Sequence, residues 1–244
     1  MFCPWTGVCG NLTMSEPLQV VAIDGPSGVG KSTISRRVAA RLGYTYLDTG
    51  AMYRAVALKC RMAGIEATDE AAVAAILPPL NIQLLPARSE GEEARVVLDG
   101  VEVSEQIRTP EISMLASAVS ALRPVRATLT RMQQDIGSRG RIVAEGRDTG
   151  TVVFPGAVWK IYLDATPEER ARRRVRQLRE RGGEIDEGKI LAQIVQRDRD
   201  DSERTIAPLK AAPDAVCIDS TGMTVEEVVE RVLDVVLHQQ KKAG

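Results

Sequence analysis

The sequence predicts an α/β domain, a parallel sheet layered between helices, and three observations carry that prediction. A glycine-rich nonapeptide, Gly25 to Thr33, stands between a strand-like run and a helix-like one. Four later apolar runs of strand length alternate with turn or helix signals, as βα repeats do. Two segments break the alternation, an antiparallel-looking meander over Asn81 to Ser104 and an arginine-dense stretch over Pro167 to Arg204.

The first element is Leu18-Gln19-Val20-Val21-Ala22-Ile23-Asp24, short, apolar and β-branched. Next come Gly25, Pro26, Ser27, Gly28, Val29, Gly30, Lys31, Ser32 and Thr33, which fit G-x-x-x-x-G-K-[ST]. From Ser32 to Leu42, Ile34, Val38, Ala39 and Leu42 recur at helical spacing. Strand, glycine loop and helix in that order make a P-loop, so the expected ligand is a nucleoside triphosphate such as ATP. The glycines let backbone N–H groups converge on phosphate oxygens, and the helix N-terminus adds partial positive charge. Lys31 is placed to reach the β- and γ-phosphates, and the Ser32 hydroxyl is the candidate Mg²⁺ ligand.

The later strand candidates are Tyr44 to Asp48, Arg141 to Glu145, Val158 to Asp164 and Ala215 to Asp219. Several strands end in an acid: Asp24, Asp48, Glu145, Asp164 and Asp219. In an open parallel sheet the site lies beyond the carboxyl ends of the strands, so these acids either take part in chemistry or cap the next helix.

In the meander, Asn81 to Leu85 and Arg95 to Leu98 read as strands joined by a polar turn at Ser89-Glu90-Gly91-Glu92. Asp99-Gly100 is a two-residue hairpin turn into Val101-Glu102-Val103. The arginine-dense stretch contains Gly182-Gly183 and reads either as a solvated, salt-bridged face or as a hinged lid. Arginine suits a lid because its planar fork binds phosphate oxygens bidentately and keeps its charge.

Composition narrows the function. The 244 residues suit one sizeable domain, and 44% hydrophobic with 27% charged content is ordinary for a globular protein. Aromatics at 3% and a net charge of -1 argue against a nucleic-acid partner. No apolar run approaches the ~18 residues of a membrane helix. The cysteines Cys3, Cys9, Cys60 and Cys217 are scattered, as expected of reduced thiols in a cytoplasmic protein. Residues 1–17 lack periodicity and a charged leader, and are expected to be a disordered extension, with Met14 a natural start. The single histidine, His238, sits near the C-terminus, so the chemistry must proceed without histidine. Phosphoryl transfer can, because positioning and charge neutralisation carry most of it. GTPase switches are set aside for want of an Asn-Lys-x-Asp string.

Four strings resemble bacterial cytidylate kinases. They are Ile23-Asp24-Gly25-Pro26-Ser27-Gly28, Leu47-Asp48-Thr49-Gly50-Ala51-Met52-Tyr53-Arg54, Glu145-Gly146-Arg147-Asp148-Thr149-Gly150 with its continuation to Pro155, and Arg204-Thr205-Ile206-Ala207-Pro208-Leu209. The meander ending in Val103 to Thr109 is similar as well, and the likeness runs from Leu18 to the C-terminal helix. The resemblance implies a single P-loop kinase domain over 18–244, with a nucleoside-monophosphate-binding insertion near 66–122 and a lid near 166–205. It implies transfer of the γ-phosphate of ATP to CMP or dCMP with Mg²⁺.

By resemblance Arg54 and Arg147 grip the acceptor phosphate, with the Thr49 hydroxyl, where the family more often has serine, on the acceptor side. Ser117, Arg126 and Asp148 read the base. Arg197, Asp201 and Arg204 reach ribose and phosphates as the lid closes. Lys31, Arg147, Arg197 and Arg204 are the expected catalytic residues. Arg199 and Asp200 exchange the charges that the family's order leads one to expect. Ser120, beside Ser117 on a small-residue helix, either contacts the nucleotide or serves tight packing. Asp24 either holds a metal-bound water or is structural. A monomer is expected, since no separate oligomerisation segment is visible. A kinase for another small acceptor, or a nucleotide-binding module without catalysis, would share the P-loop.

Overall fold

The computed structural model describes residues 19–88, 93–180 and 186–243. The polar turn at 89–92, the Gly182-Gly183 pair and the extension over 1–17 lie outside the described residues. Strands β1 (Val20–Asp24), β2 (Thr45–Asp48), β6 (Ile142–Gly146), β7 (Trp159–Asp164) and β8 (Val216–Asp219) form one parallel sheet in the order β2-β6-β1-β7-β8. All five residues of β1 are buried because both faces of the central strand are covered. Val20 and Ala22 face one core with α2 (Thr49–Met62), α4 (Pro110–Val119) and α5 (Arg123–Gly137). Val21 and Ile23 face the other, with α1 (Lys31–Leu42) and α8 (Val225–Ala243). Three layers follow from that alternation.

The meander is a separate antiparallel sheet of β3 (Ile82–Leu85), β4 (Arg95–Leu98) and β5 (Val101–Glu102). Only one face is apolar inward, with Val96 and Leu98 buried. Asp99 and Gly100 both take positive φ, 49° and 88°, as a type I′ turn demands. Short α3 (Glu70–Ala75) precedes this sheet.

Helix α4 starts at Pro110, earlier than the Leu115-to-Leu122 run of small residues suggests. Thr109 caps it by accepting from Ile112 N–H at 3.2 Å, and proline occupies the first turn. Two antiparallel helices, α6 (Pro167–Arg179) and α7 (Glu187–Glu203), cover the carboxyl end of the sheet beside the glycine loop. Among the described residues no helix is long and apolar enough to cross a membrane.

Candidate active site

The glycine loop leaves β1 through Gly25, where any side chain is excluded. A Cβ there would sit 2.0 Å from the Leu163 carbonyl oxygen. Gly28 and Gly30 turn the chain with φ of 77° and 98°. Lys31 opens α1 and is buried, its Nζ donating to the carbonyls of Gly25 at 2.8 Å and Pro26 at 2.7 Å. Burial, and then the like charge of Arg147, hold its amine well below the ordinary lysine range, against the pull of Glu145 and Asp24.

Ser32 stands beside a buried carboxylate. Its hydroxyl is near enough to Glu145, close to the end of β6, to lower that carboxyl, and Tyr46 O–H donates to Glu145 Oε1. Burial and then the charge of Asp48 raise the Glu145 carboxyl, while Lys31, Tyr46 and Ser32 oppose them. A hydroxyl and a carboxylate together are hard oxygen donors of the kind Mg²⁺ prefers. Glu145 reads in the sequence only as one strand-end acid among five, and nothing in the string gives its position next to Ser32.

Asp24, by contrast, is a clamp. Its Oδ1 accepts from Thr149 N–H at 2.8 Å and the Thr149 hydroxyl at 2.7 Å, and its Oδ2 from Gly150 N–H at 2.7 Å. Those bonds tie β1 to a π-helical turn over Thr149–Val153, which follows Arg147 and Asp148. Asp48 caps α2 through Ala51 N–H at 2.8 Å and pairs with Arg54 at 2.9 Å. The Thr49 hydroxyl is buried and donates to the Glu145 carbonyl at 2.6 Å, linking β2 to β6.

Across from the loop lies a network of buried charges. Asp148 Oδ2 pairs with Arg126, and each residue is 5% exposed. Arg126 also donates to the Ser120 carbonyl at 3.1 Å, and its guanidinium lies 5.7 Å from the Tyr53 ring centroid. Burial raises the Asp148 carboxyl and Arg126 opposes it. Arg147 Nε donates to Asp201 Oδ2 at 2.8 Å, which joins the end of β6 to α7. Arg204 donates to the Ala207 carbonyl at 2.7 Å and to the Ser120 hydroxyl at 3.3 Å. Ser117, Ser120, Met114, Asp200, Asp201 and Arg204 line a cavity of about 320 Å³ between α4 and α7.

Four buried donors in this region have no hydrogen-bond partner: Tyr53 O–H, Arg54 Nε, Arg197 Nε and Arg204 Nη2. Their charges act on one another. Burial and then Arg147 bring Arg197 down to about 10, with Arg54 adding to the repulsion. Burial pushes the Tyr53 phenol up to about 12. All four groups are therefore protonated donors at neutral pH, and buried donors without acceptors mark a place built for an anionic, hydrogen-bonding ligand.

Asp201 balances the arginines. Burial works against its charge, but Arg147, and after it Arg197 and Arg204, outweigh burial and hold its carboxyl below the ordinary 3.8. A depressed aspartate stabilises the fold above the unfolded value and loses that contribution as pH falls through the folded one. Asp201→Asn is therefore expected to flatten the loss of thermal stability below about pH 4. Melts of both proteins across that range check it, and parallel acid limbs would contradict it.

The arginine-dense helices divide by what they touch. Arg179–Glu187 and Arg199–Glu203 are exposed helix-surface pairs, and exposed Arg172 pairs with the half-buried Glu169. Arg170 is buried and donates to the carbonyls of Ala165 at 2.9 Å and Ser27 at 3.0 Å. Arg173 donates to the Val29 carbonyl at 3.1 Å and the Ser220 carbonyl at 2.6 Å. These two hold the backbone of the glycine loop.

The structure thus brings Arg54, Arg126, Arg147, Asp148, Arg197, Asp201 and Arg204 together opposite Lys31, with Ser117 on the wall of the adjoining cavity. Tyr53 and Glu145 join them, and sequence reasoning did not single out either. The Tyr53-Arg54 pair near the start of α2, which Asp48 caps, was the available signal for Tyr53.

A likeness to known proteins agrees with this geometry. The family model described as "Cytidylate kinase" matches residues 21–238. A cytidylate kinase from Geobacter sp. (strain M21) is 52% identical over 86% of this chain and 89% of its own length. One from Syntrophotalea carbinolica (strain DSM 2380 / NBRC 103641 / GraBd1) is 49% identical over 91% of this chain and 93% of its own length. A solved but uncharacterised protein from Eubacterium ventriosum ATCC 27560 shares the fold alone, with a TM-score of 0.50 at 8% identity over 88% of this chain and 96% of that one. With a phosphate loop facing a cluster of arginines, most of them half-buried, and the family's model spanning nearly all the described residues, the chain belongs to the cytidylate kinase family.

Proposed function

We propose that the protein transfers the γ-phosphoryl group of ATP to CMP or dCMP, giving ADP and CDP or dCDP. The observation that carries this reading is the position of Arg147: it follows Gly146, which is registered against Asp24 at the entry to the glycine loop, and it bonds Asp201 among the arginines on the other side at 2.8 Å.

In this reading residues 25–33 wrap the donor phosphates, and Lys31 follows charge as it moves off the γ-position. Arg54, Arg147, Arg197 and Arg204 offset the acceptor dianion and the charge in transit. Holding both nucleotides in register supplies up to ~7–11 kcal/mol of the barrier through lost translational and rotational freedom. The acceptor phosphate is already ionised near neutral pH, so the reaction needs no general base. Ser32 and Glu145 would hold Mg²⁺, which supplies charge neutralisation when bound.

Arg126 would meet the N3 and O2 acceptors of cytosine, and Asp148 would accept from its exocyclic amine. Asp148 Oδ2 is taken by Arg126 and Oδ1 remains available for that bond. Thr49 would keep β2 and β6 aligned, with Ser117 on the acceptor wall. Residues near 66–122 would act as the acceptor-binding insertion and those near 166–205 as the lid. A cytoplasmic monomer is proposed, and the free Cys60 and Cys217 thiols among the described residues accord with the reducing compartment.

A panel of CMP, dCMP, UMP and AMP with ATP, read as ADP release, tests the reading. CMP and dCMP should exceed UMP and AMP by about tenfold or more in kcat/KM, the discrimination a paired base contact supplies. Preference for UMP or AMP would make this another monophosphate kinase. ATP binding without acceptor-dependent ADP release would make it a non-catalytic module.

A further inference from the structure

Helix α7 sets a carboxylate on the glycine loop, and the reaction above leaves it unused. Asp198 Oδ1 accepts from Ser27 N–H at 3.4 Å, the one side-chain oxygen on a backbone N–H of residues 25–33 among the described residues. Its Oδ2 pairs with buried Arg170, whose Nη1 donates to the Ser27 carbonyl at 3.0 Å. A single ion pair, with one partner on α6 and the other on α7, thus holds both backbone groups of Ser27. Packing supports the contact. A Cβ on Gly28 would lie 3.4 Å from Arg170 Cβ and 3.8 Å from Ile194 Cδ1. Ile194 is one helical turn before Asp198, and Asp201, which bonds Arg147, is three residues after it. One side of α7 therefore runs from the glycine loop to the arginine cluster.

Carboxylate and phosphate compete for this place. The strand-end acids nearby are committed to other partners, Asp24 to Thr149 and Gly150 and Glu145 to Tyr46. Asp198 instead meets a loop N–H. Backbone N–H groups at the mouth of a helix attract anions, and the donor brings a polyphosphate to the same loop. Two anions drawn to neighbouring N–H groups repel one another, the more so away from bulk water. An ion pair that served stability alone would need only Arg170. The second oxygen, on Ser27 N–H, is what sets Asp198 against the phosphates.

We propose that Asp198 is a positioning residue that latches α7 to the glycine loop in competition with the phosphate oxygens of the donor. Donor binding breaks the Ser27 contact, and with it one anchor of the helix that carries Arg197 and Asp201. The competition rests on the donor role given to this loop above.

Calorimetry with AMP-PNP and Mg²⁺ on the full chain tests the latch. Asp198→Asn is expected to bind AMP-PNP at least about fivefold more tightly than the parent, since a competing carboxylate is removed at nearly constant shape. That variant also leaves Arg170 buried and unpaired, which lowers stability and adds a cation beside the loop. A second background, Arg170→Gln, removes the cation. There, adding Asp198→Asn should again tighten binding, by at least about threefold, in a protein with no unpaired charge on Ser27. A carboxylate that only steadied the loop would give the opposite sign, because its loss would weaken binding. Equal or weaker binding after Asp198→Asn than in its own background would overturn the latch and leave the donor role standing. A parent that does not bind AMP-PNP would take the donor role from the loop, and the latch with it.

Discussion

Lys31→Met is expected to lower kcat by at least about 1,000-fold while leaving thermal stability nearly unchanged, because the two properties depend on different features of this side chain. In the proposed reaction Lys31 would supply positive charge at the centre of the glycine loop, where the transferring group develops its own charge. Removing one preorganised donor from such a site costs about 100- to 1,000-fold, and here a charge is removed as well. For stability, two hydrogen bonds to the Gly25 and Pro26 carbonyls are lost, each worth about 1 kcal/mol. Against that loss, the buried ammonium is itself unfavourable, since burial and Arg147 hold its amine well below the ordinary range. A lysine whose folded pKa lies below its unfolded one destabilises the fold at neutral pH, and methionine relieves that cost in the same space. The melting midpoint should therefore move by no more than ~4 °C, the equivalent of about 1 kcal/mol in a domain of this size. Turnover within about tenfold of the parent would contradict the role given to Lys31.

The second large effect falls on Asp148 and is double. Asp148→Ala leaves Arg126 buried and unpaired, a change that costs about 3–5 kcal/mol. Asp148→Asn keeps the shape and separates stability from recognition. An amide can donate or accept, so it no longer prefers the exocyclic amine of cytosine to the carbonyl of uracil. The ratio of kcat/KM for CMP over UMP should fall by about 10- to 100-fold in the asparagine variant, in line with ~1–3 kcal/mol for one base-reading pair. A coupled assay with both acceptors measures it, and an unchanged ratio would take base reading away from Asp148. Equal melting midpoints for parent and alanine variant would contradict the buried ion pair.

Much of this arrangement is legible in the residue string, and the boundary has a physical cause. The glycine loop, the five strands and the Asp99-Gly100 turn are local features, set by period, turn chemistry and motif spacing. The residues 54, 126, 147, 148, 197, 201 and 204 could be named only through the family resemblance, because they are far apart in sequence and meet only in the fold. What the string does not give is the partner across each face. Arg170 and Arg172 are two residues apart on α6, yet one is buried against the Ser27 carbonyl and the other pairs with Glu169 at the surface. Periodicity separates their faces without saying that a phosphate loop lies under one of them. Thr49 likewise reads as an acceptor-side hydroxyl, and the string does not show that its O–H donates to the Glu145 carbonyl across β6.

Arg170 and Arg173 give helix α6 a role apart from any closure as a lid. By holding the Ser27 and Val29 carbonyls they fix the loop whose N–H groups must converge on phosphate. Arg197 and Arg204, the arginines proposed to meet the acceptor, lie on and just beyond the second helix of the same pair. Motion of that pair would couple donor binding to acceptor capture.

A donor loop that faces the arginine cluster should pass phosphoryl to a nucleotide rather than to water. The most direct measurement follows label from [γ-³²P]ATP in single turnover with CMP present or absent. With CMP, label is predicted to appear in the β-phosphate of CDP, in step with ADP. Without CMP, ATP should stay largely intact. Release of labelled inorganic phosphate at the same rate in both cases would contradict the account.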